Sequence, residues 1–254
     1  MRFGKFVSTL GVVLLGAVSV AAQSQPGTLA ALEFQTPKNG AVTQYEAGRK
    51  QKVEWHKQQK DAQPLYVWEI LSGDSTGTYI VGRLGQHWSD LDKPTVPDAS
   101  DLDTYRKLIA SNVQTLVARY YEYMPKLSNP ASSMTPSKFS EIITYHVHGD
   151  RDSEFRSSIK RFNEAIQKGK VPLTYYWYEL VNGGQGETFV LSIPHANWAD
   201  FEDNPNVKPF RDILKDAFSA VEADEILKEF DASVKGTESE IIQLRDDLSY
   251  IPAK

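Results

Sequence analysis

Residues 69–81, Glu-Ile-Leu-Ser-Gly-Asp-Ser-Thr-Gly-Thr-Tyr-Ile-Val, align without a gap with residues 179–191, Glu-Leu-Val-Asn-Gly-Gly-Gln-Gly-Glu-Thr-Phe-Val-Leu. The same offset in residue number, 110, then carries Trp88 and Asp90 onto Trp198 and Asp200. A self-match of this length predicts two copies of one supersecondary unit. Within each copy, glycine-rich turn residues lie between two apolar runs, which is typical of a β-hairpin.

The predicted elements around the hairpin follow the same order in both copies. The first copy is predicted as a strand, a helix, the hairpin strands and a second helix, at 31–36, 41–59, 65–71, 78–84 and 102–113, with Ser100 and Asp103 as a capping box. The second copy repeats this order at 141–147, 153–167, 173–181, 188–193 and 210–236, where Gly236 is the predicted helix stop.

After the second helices the match resumes at an offset of 121, with residues 120–128 (YYEYMPKLS) on residues 241–249 (IIQLRDDLS). This second match predicts a fourth strand in each copy, at 120–123 in the first. Each copy then has the order βαββαβ, which is the ferredoxin-like order. A four-stranded sheet with both helices on one face leaves its other face bare, so the two sheets are expected to bury these faces together.

This arrangement resembles the dimeric α+β barrel superfamily, with its NIPSNAP-like and antibiotic-biosynthesis-monooxygenase-like members, fused here into one chain. The resemblance covers residues 30–250 and rests on the element order and on the Trp-x-Asp-[Leu/Phe] step before each second helix. It implies an α+β fold of two tandem repeats, at 28–127 and 139–250, joined by a linker at 128–138. A shared fold of this kind does not by itself imply a function.

Residues 1–22 are predicted to be a signal peptide. Arg2 and Lys5 precede an apolar run, and Val20-Ala21-Ala22 fits a signal-peptidase site. The run is shorter than the roughly 20 residues that span a bilayer. We therefore expect an exported protein, periplasmic or secreted, whose mature chain is not membrane-bound.

Composition excludes several classes of function. The chain has no cysteine, so disulfides and thiolate metal sites are excluded. The net charge is −5 with acids and bases interspersed, and no basic stripe predicts nucleic-acid binding. We expect a monomer or homodimer without a cofactor or resident metal.

The alternation of side chains along the strands predicts which residues face the space between the sheets. The predicted interior set is polar except for Val67 and Trp177, and contains Glu33, Gln35, Val67, Glu69, His146, His148, Trp177 and Glu179. Thr144 shares the face of His146, whereas Leu32, Phe34, Tyr66, Trp68, Ile70, Tyr176, Tyr178 and Leu180 are predicted under the helices. Carboxylates and imidazoles in such a cavity can act as acid, base or ligand-binding groups, or can simply plug the barrel.

Two other patterns have both a functional and a structural interpretation. His146-Val-His148 has a spacing found in metal sites, but no third ligand follows from the sequence. Haem-degrading members of the superfamily use an Asn, a Trp and a His from separate elements. Here His195, Asn197 and Trp198 cluster in one loop, as do His87 and Trp88, so Asn197 with Asp200 is predicted to cap a helix and both Trp residues to pack the helix that follows.

Three functions remain open on the sequence. The leading hypothesis is the binding of a small apolar or aromatic molecule between the sheets. The alternatives are a cofactor-independent monooxygenase-like or isomerising enzyme that uses interior Glu and His residues, and a structural or interaction module. A roomy interior lined by the predicted acids favours the enzyme, apolar walls favour binding, and a filled barrel favours the structural role.

Overall fold

The structure is a computed structural model that describes residues 26–130, 136–202, 204 and 207–253. The predicted signal peptide and residues 131–135 of the predicted linker lie outside this part of the chain. The described helices and strands are, in chain order, β1 (Leu29–Pro37), α1 (Val42–Gln59), β2 (Tyr66–Ile70), β3 (Tyr79–Gln86), α2 (Asp98–Leu108), β4 (Val113–Tyr123), β5 (Phe139–Val147), α3 (Asp152–Gly169), β6 (Tyr176–Asn182), β7 (Glu187–His195), α4 (Phe210–Ala217), α5 (Ala220–Ser233) and β8 (Val234–Leu244).

The eight strands form a closed barrel in the order β1-β3-β2-β8-β5-β7-β6-β4, with antiparallel pairing throughout. Each half of the barrel has the ferredoxin-like strand order, so the predicted α+β barrel of two fused units is confirmed. The two offsets also hold in space. β1 begins at Leu29 and β5 at Phe139, an offset of 110, while β4 begins at Val113 and β8 at Val234, an offset of 121.

The two sheets join at two seams, β2–β8 and β4–β6, and the same device extends each seam. Ser249, after β8, accepts a hydrogen bond from the Val67 amide at 2.9 Å, and Ser128, after β4, accepts one from the Trp177 amide at 2.9 Å. Both serines are buried, and each hydroxyl donates to a carbonyl four residues earlier in its own tail. The tail of each copy thus binds the second strand of the other.

The helices pack on the outer face of the barrel and enclose one apolar core in each half. In the second half, Phe155 of α3 packs on Trp177 of β6 and Phe189 of β7. In the first half, Tyr45 of α1 packs on residues that include Val67 and Tyr79. The apolar side chains on the opposite strand face point into the barrel instead, and they define the candidate site.

The second helices differ from their predicted extents. α2 begins at Asp98 after Pro97 rather than at a capping box of Ser100 and Asp103, and Val113 already belongs to β4. β4 is therefore longer than the predicted strand at 120–123, because the residues before Tyr120 pair along the whole of β1.

The long helix predicted from Phe210 to Gly236 is two helices and the start of a strand. Chain direction changes at Phe218, and Ser219 caps α5: its hydroxyl accepts the Glu222 amide N–H, and its own N–H donates to the Glu222 carboxylate. Gly236 lies in β8, where it pairs with His146, and so it is not a helix stop. Within the described residues, no helix combines the length and apolar character that crossing a membrane needs.

Candidate functional site

The barrel encloses a cavity of about 670 Å³. Every second residue of the strands points inward, and these positions carry large aliphatic and aromatic side chains interspersed with polar ones. The apolar lining residues are Ala30, Leu32, Phe34, Trp68, Ile80, Leu84, Val117, Ile142, Leu180, Val190 and Ile242, together with the rings of Tyr121, Tyr176 and Tyr178. Burial raises the pKa of Tyr178 well above its ordinary value, so this phenol stays neutral.

One group of polar side chains lies at the end of the cavity where β5 ends and β8 begins. His146 Nε2 lies 3.1 Å from Glu238 Oε1, and His146 Nδ1 lies 3.2 Å from Thr188 Oγ1. The side chain of Glu238 is 69% exposed and that of His146 is 36% exposed, so solvent reaches this end. We refer to His146, Thr188 and Glu238 as the mouth triad; it provides an imidazole and a carboxylate beside an apolar chamber.

Two further ionisable groups line the cavity at symmetry-related positions. Arg119 on β4 and Glu240 on β8 occupy equivalent positions in the two copies, because their residue numbers differ by 121, as do the first residues of these strands. The Arg119 guanidinium carbon lies 4.7 Å from the centre of the Phe34 ring. Burial raises the pKa of Glu240, and the nearby Glu238 adds to this, while Ser75 and Arg119 act in the opposite direction.

The first copy carries different side chains at the positions equivalent to His146 and Thr188 of the mouth triad. The offset between the copies places Thr36 and Thr78 at the positions of His146 and Thr188, and the two threonine hydroxyls are hydrogen-bonded to each other at 2.9 Å. The first copy thus places two neutral hydroxyls where the second places an imidazole and a hydroxyl. The strands around the cavity are related by pseudo-two-fold symmetry, but the polar side chains of the two copies differ. The symmetry of the backbone alone therefore does not determine how a ligand is oriented.

Of the residues predicted to face the interior, His146 and Thr144 line the cavity. The prediction is wrong for Glu69 and Glu179, because both side chains point to the helix side of the barrel. Glu69 accepts a hydrogen bond from Arg245 at 2.7 Å, and Glu179 accepts two from Arg156. The carboxylates face outward, where Arg156 of α3 and Arg245 of the tail after β8 bind them.

The remaining predicted interior residues also lie elsewhere. Gln35 is fully buried under α1, where its side-chain oxygen accepts hydrogen bonds from Tyr45 and Arg49, and its amide donates to Glu33 at 2.6 Å. Trp177 belongs to the helix-side core, 5.9 Å from the Phe155 ring. His148 follows the end of β5 and is exposed.

The loop histidines, Asn197 and the tryptophans do not line the cavity either. Asn197 caps a short 3-10 turn: its side chain accepts the Ala199 amide, and Asp200 accepts the Asn197 amide, which confirms the predicted capping role. Trp88 and Trp198 are half exposed and contact strand residues Tyr120 and Phe139, rather than packing the next helix as predicted. This arrangement provides no cavity-facing Asn-Trp-His set of the haem-degrading kind.

A metal site is not formed by the histidine pair. His148 is exposed beyond the strand end while His146 is bonded to Thr188 and Glu238, and within the described ranges no three His, Asp or Glu side chains converge as ligands.

Several cavity residues lie outside the set predicted from the sequence. Arg119, Glu238 and Glu240 fall in stretches that the sequence patterns did not assign to strands. Extending the offset of 121 backwards aligns residues 113–119 with 234–240, but Val113 and Val234 are the one identity in this stretch, so the repeat gives little signal for these residues. The helix-side prediction is wrong for Leu32, Phe34, Trp68, Tyr176, Tyr178 and Leu180, which line the cavity, because it exchanged the two faces of β1, β2 and β6.

Comparison with solved structures identifies the fold. A protein from Lactobacillus acidophilus NCFM provisionally named a monooxygenase has a TM-score of 0.52 and 12% identity, over 90% of this chain and 97% of that one. An anthrone oxidase-like protein has a TM-score of 0.51 and 11% identity, over 89% and 94%. A mutant chlorite dismutase from Candidatus Nitrospira defluvii has a TM-score of 0.50 and 9% identity, over 87% and 93%.

These proteins share the dimeric α+β barrel fold with this chain, and at such identities the likeness shows the fold alone. No protein-family model matches the sequence, and no curated protein matches it.

Proposed function

We propose that the protein binds a small apolar or aromatic molecule inside its barrel. The observation that carries this proposal is the cavity of about 670 Å³, whose wall combines large apolar and aromatic side chains with polar groups that include the mouth triad at one end. Sites for small organic ligands have this size and combine apolar walls with polar groups that orient the ligand. A purely structural barrel is disfavoured because protein interiors are normally filled to high packing density.

A second candidate is a cofactor-independent monooxygenase-like or isomerising enzyme. It is supported by the mouth triad, in which the Glu238 carboxylate is placed to orient the His146 ring at the cavity. Two of the structurally similar proteins carry oxygenase or oxidase names, which is compatible with this candidate. Binding is the leading proposal because the two acids at matching positions, Glu69 and Glu179, point away from the cavity.

Titration with Nile red, a neutral dye whose emission rises in apolar surroundings, tests the binding proposal. We expect saturable binding to the wild-type protein. Val190→Trp should weaken it strongly, because the larger side chain occupies the cavity. The matched control is Val181→Trp on the neighbouring strand, where the side chain is 40% exposed and points outward. Equal binding by the two variants would contradict a site inside the barrel.

Native mass spectrometry of the purified protein complements the titration, because a ligand retained from the host would appear as a mass increment.

We also propose that the protein is exported after cleavage behind Ala22, as the charged, apolar and small-residue segments suggest. The intact mass of the mature protein tests this; retention of residues 1–22 in a membrane fraction would contradict it.

A further inference from the structure

We propose that the molecule held in the barrel is an anion, an aromatic or apolar carboxylate whose head group pairs with Arg119. This inference rests on the proposed binding function and specifies its ligand class. It is carried by the state of Arg119 in the cavity wall, by the apolar surroundings of its guanidinium, and by the asymmetry of the two halves.

Arg119 has no ion-pair partner within 4.0 Å among the described residues, although its side chain is half-buried and lines the cavity. Its Nε is buried and makes no hydrogen bond within the described part of the chain. Arg119 does hydrogen-bond the Tyr121 phenol, but a partly desolvated arginine without a carboxylate partner is costly, and its planar fork of donors matches a carboxylate in a bidentate geometry. An anionic ligand would regain the hydrogen bonds that the fold leaves unmade.

The surroundings of Arg119 provide a place for the rest of such a ligand. Its guanidinium lies over the Phe34 ring, and its cross-strand neighbour on β1 is Leu32, which also lines the cavity. Burial raises the pKa of Tyr121 overall, although Arg119 acts in the opposite direction, so the phenol stays a neutral hydroxyl close to the guanidinium. A ligand with its carboxylate on Arg119 would lay its apolar body along the aromatic wall.

The carboxylates on the opposite wall of the cavity do not pair with Arg119 in place of a ligand. Glu240 stands at the position equivalent to Arg119 in the other half, but it forms no ion pair with Arg119, and Glu238 is paired with His146 instead. One side of the chamber is therefore cationic and the other carries the carboxylates. A monoanion has a single favourable orientation, with its charge toward β4 and away from β8.

Calorimetric titration of the full-length mature protein with 2-naphthoate and with 2-naphthamide separates charge from shape, because the two probes differ little except in charge. We expect 2-naphthoate to bind roughly 10- to 100-fold more tightly, the range of one charge-assisted bidentate contact. Arg119→Met should abolish this preference while leaving 2-naphthamide binding unchanged, and Arg119→Lys should retain part of it. The control is Arg106→Met on the exposed face of α2, which should keep the full preference.

The outcomes distinguish the two proposals. If both probes bind equally to the wild type, or if Arg119→Met keeps the preference for 2-naphthoate, the anion inference is overturned while ligand binding stands. If neither probe binds and Nile red also fails, both proposals fall. Circular dichroism of the folded variants at the titration temperature ensures that lost binding is not lost structure.

Discussion

Glu69 and Glu179 are identical in the two copies because each closes an ion pair with an arginine, although the two arginines come from different elements. At Glu179 the arginine is Arg156 of α3. The position equivalent to Arg156 in the first copy is Glu46, and there Arg245, from the tail of the second copy, joins Glu46 at 2.6 Å and Glu69 at 2.7 Å. Hydrogen bonds to carboxylates raise the pKa of both arginines further, so both guanidinium groups stay charged.

The ion pair of Glu179 with Arg156 leads to one prediction about stability and a second about ligand binding. Glu179→Gln should lower the free energy of unfolding by about 1 kcal/mol, because a partly buried charge-assisted contact is lost while Arg156 keeps Asp152. Nile red affinity should not change, since Glu179 lies outside the barrel. Urea unfolding measures the first effect. The control is Glu54→Gln, an exposed helix pair with Lys57 that should change stability by less than about 0.5 kcal/mol.

A loss of dye binding in Glu179→Gln, with stability unchanged, would indicate that the Glu179 side chain faces the cavity and would contradict its ion pair with Arg156 of α3.

The faces of individual residues were only partly predictable, and the reason is physical. Sequence reasoning assumed polar residues between the sheets and apolar residues under the helices. In the structure both faces of β1 are covered, so alternation does not tell which is inside. The repeat itself held the answer: the offset of 110 aligns Phe34 with Thr144 and Gln35 with Tyr145. Shifting the first copy by one residue reversed every assignment on β1, as any one-residue slip in a strand does.

At the scale of an element, α1 carries a polar cluster that its counterpart α3 lacks. His56 is buried, its Nδ1 lies 2.8 Å from Asp61 Oδ2, and Asp61 also pairs with Arg83 at 2.7 Å. Lys52 and Asp101 face the other side of the ring, with Asp101 Oδ1 at 3.8 Å from His56 Nε2. The position equivalent to His56 in α3 is the core residue Ile166, so the two helix layers are stabilised differently.

We predict that this cluster makes stability depend on pH. Burial lowers the pKa of His56, and the nearby Lys52 adds to this. The unfolded chain then binds a proton near the ordinary value of 6.5, while the folded chain resists it. Stability should be full above about pH 7 and should fall as the pH drops below 6.5, by at most about 1.4 kcal/mol per pH unit. The depressed pKa of Asp61 adds a further loss only below its ordinary value of 3.8.

Thermal melts from pH 7.5 to 5 check this prediction. His56→Gln can still donate to Asp61 but cannot titrate, so its melting temperature should vary less over this range. His148→Gln, at an exposed position, should retain the wild-type profile. A profile unchanged in His56→Gln would assign the pH dependence to other groups.

Whole strands were easier to predict than their limits. The second match located the C-terminal parts of β4 and β8, where residues 120–128 and 241–249 include the serines that close the seams. The N-terminal parts were missed because Leu102, Tyr105, Ile109 and Val113 satisfy helical spacing, although the helix ends at Leu108. Pairing with β1 and β5, which no local window contains, decides these limits.

At the scale of the molecule, the barrel closes only because each copy completes the other. β2 pairs with β8 and β4 pairs with β6, so an isolated copy would expose both outer strands of its sheet and its apolar inner face. The edge interactions of the two seams are nearly alike. Leu65 and Tyr250 form an isolated bridge beyond one seam, and Tyr175 with Asn129 forms its equivalent beyond the other.

We therefore predict that residues 26–130, expressed alone, assemble into a homodimer that rebuilds the barrel, or else precipitate. In such a dimer, β4 of each chain would pair with β2 of its partner, and Ser128 would accept the Val67 amide in place of Ser249. The exposed apolar face and the unpaired strand edges both oppose a monomer. Light scattering after gel filtration gives the mass directly. Ser128→Ala should weaken the dimer, because it leaves a buried amide without its acceptor, whereas Ser100→Ala on the surface of α2 should not. A stable, soluble monomer of this fragment would show that the copies do not depend on each other and would contradict the role assigned to the two seams.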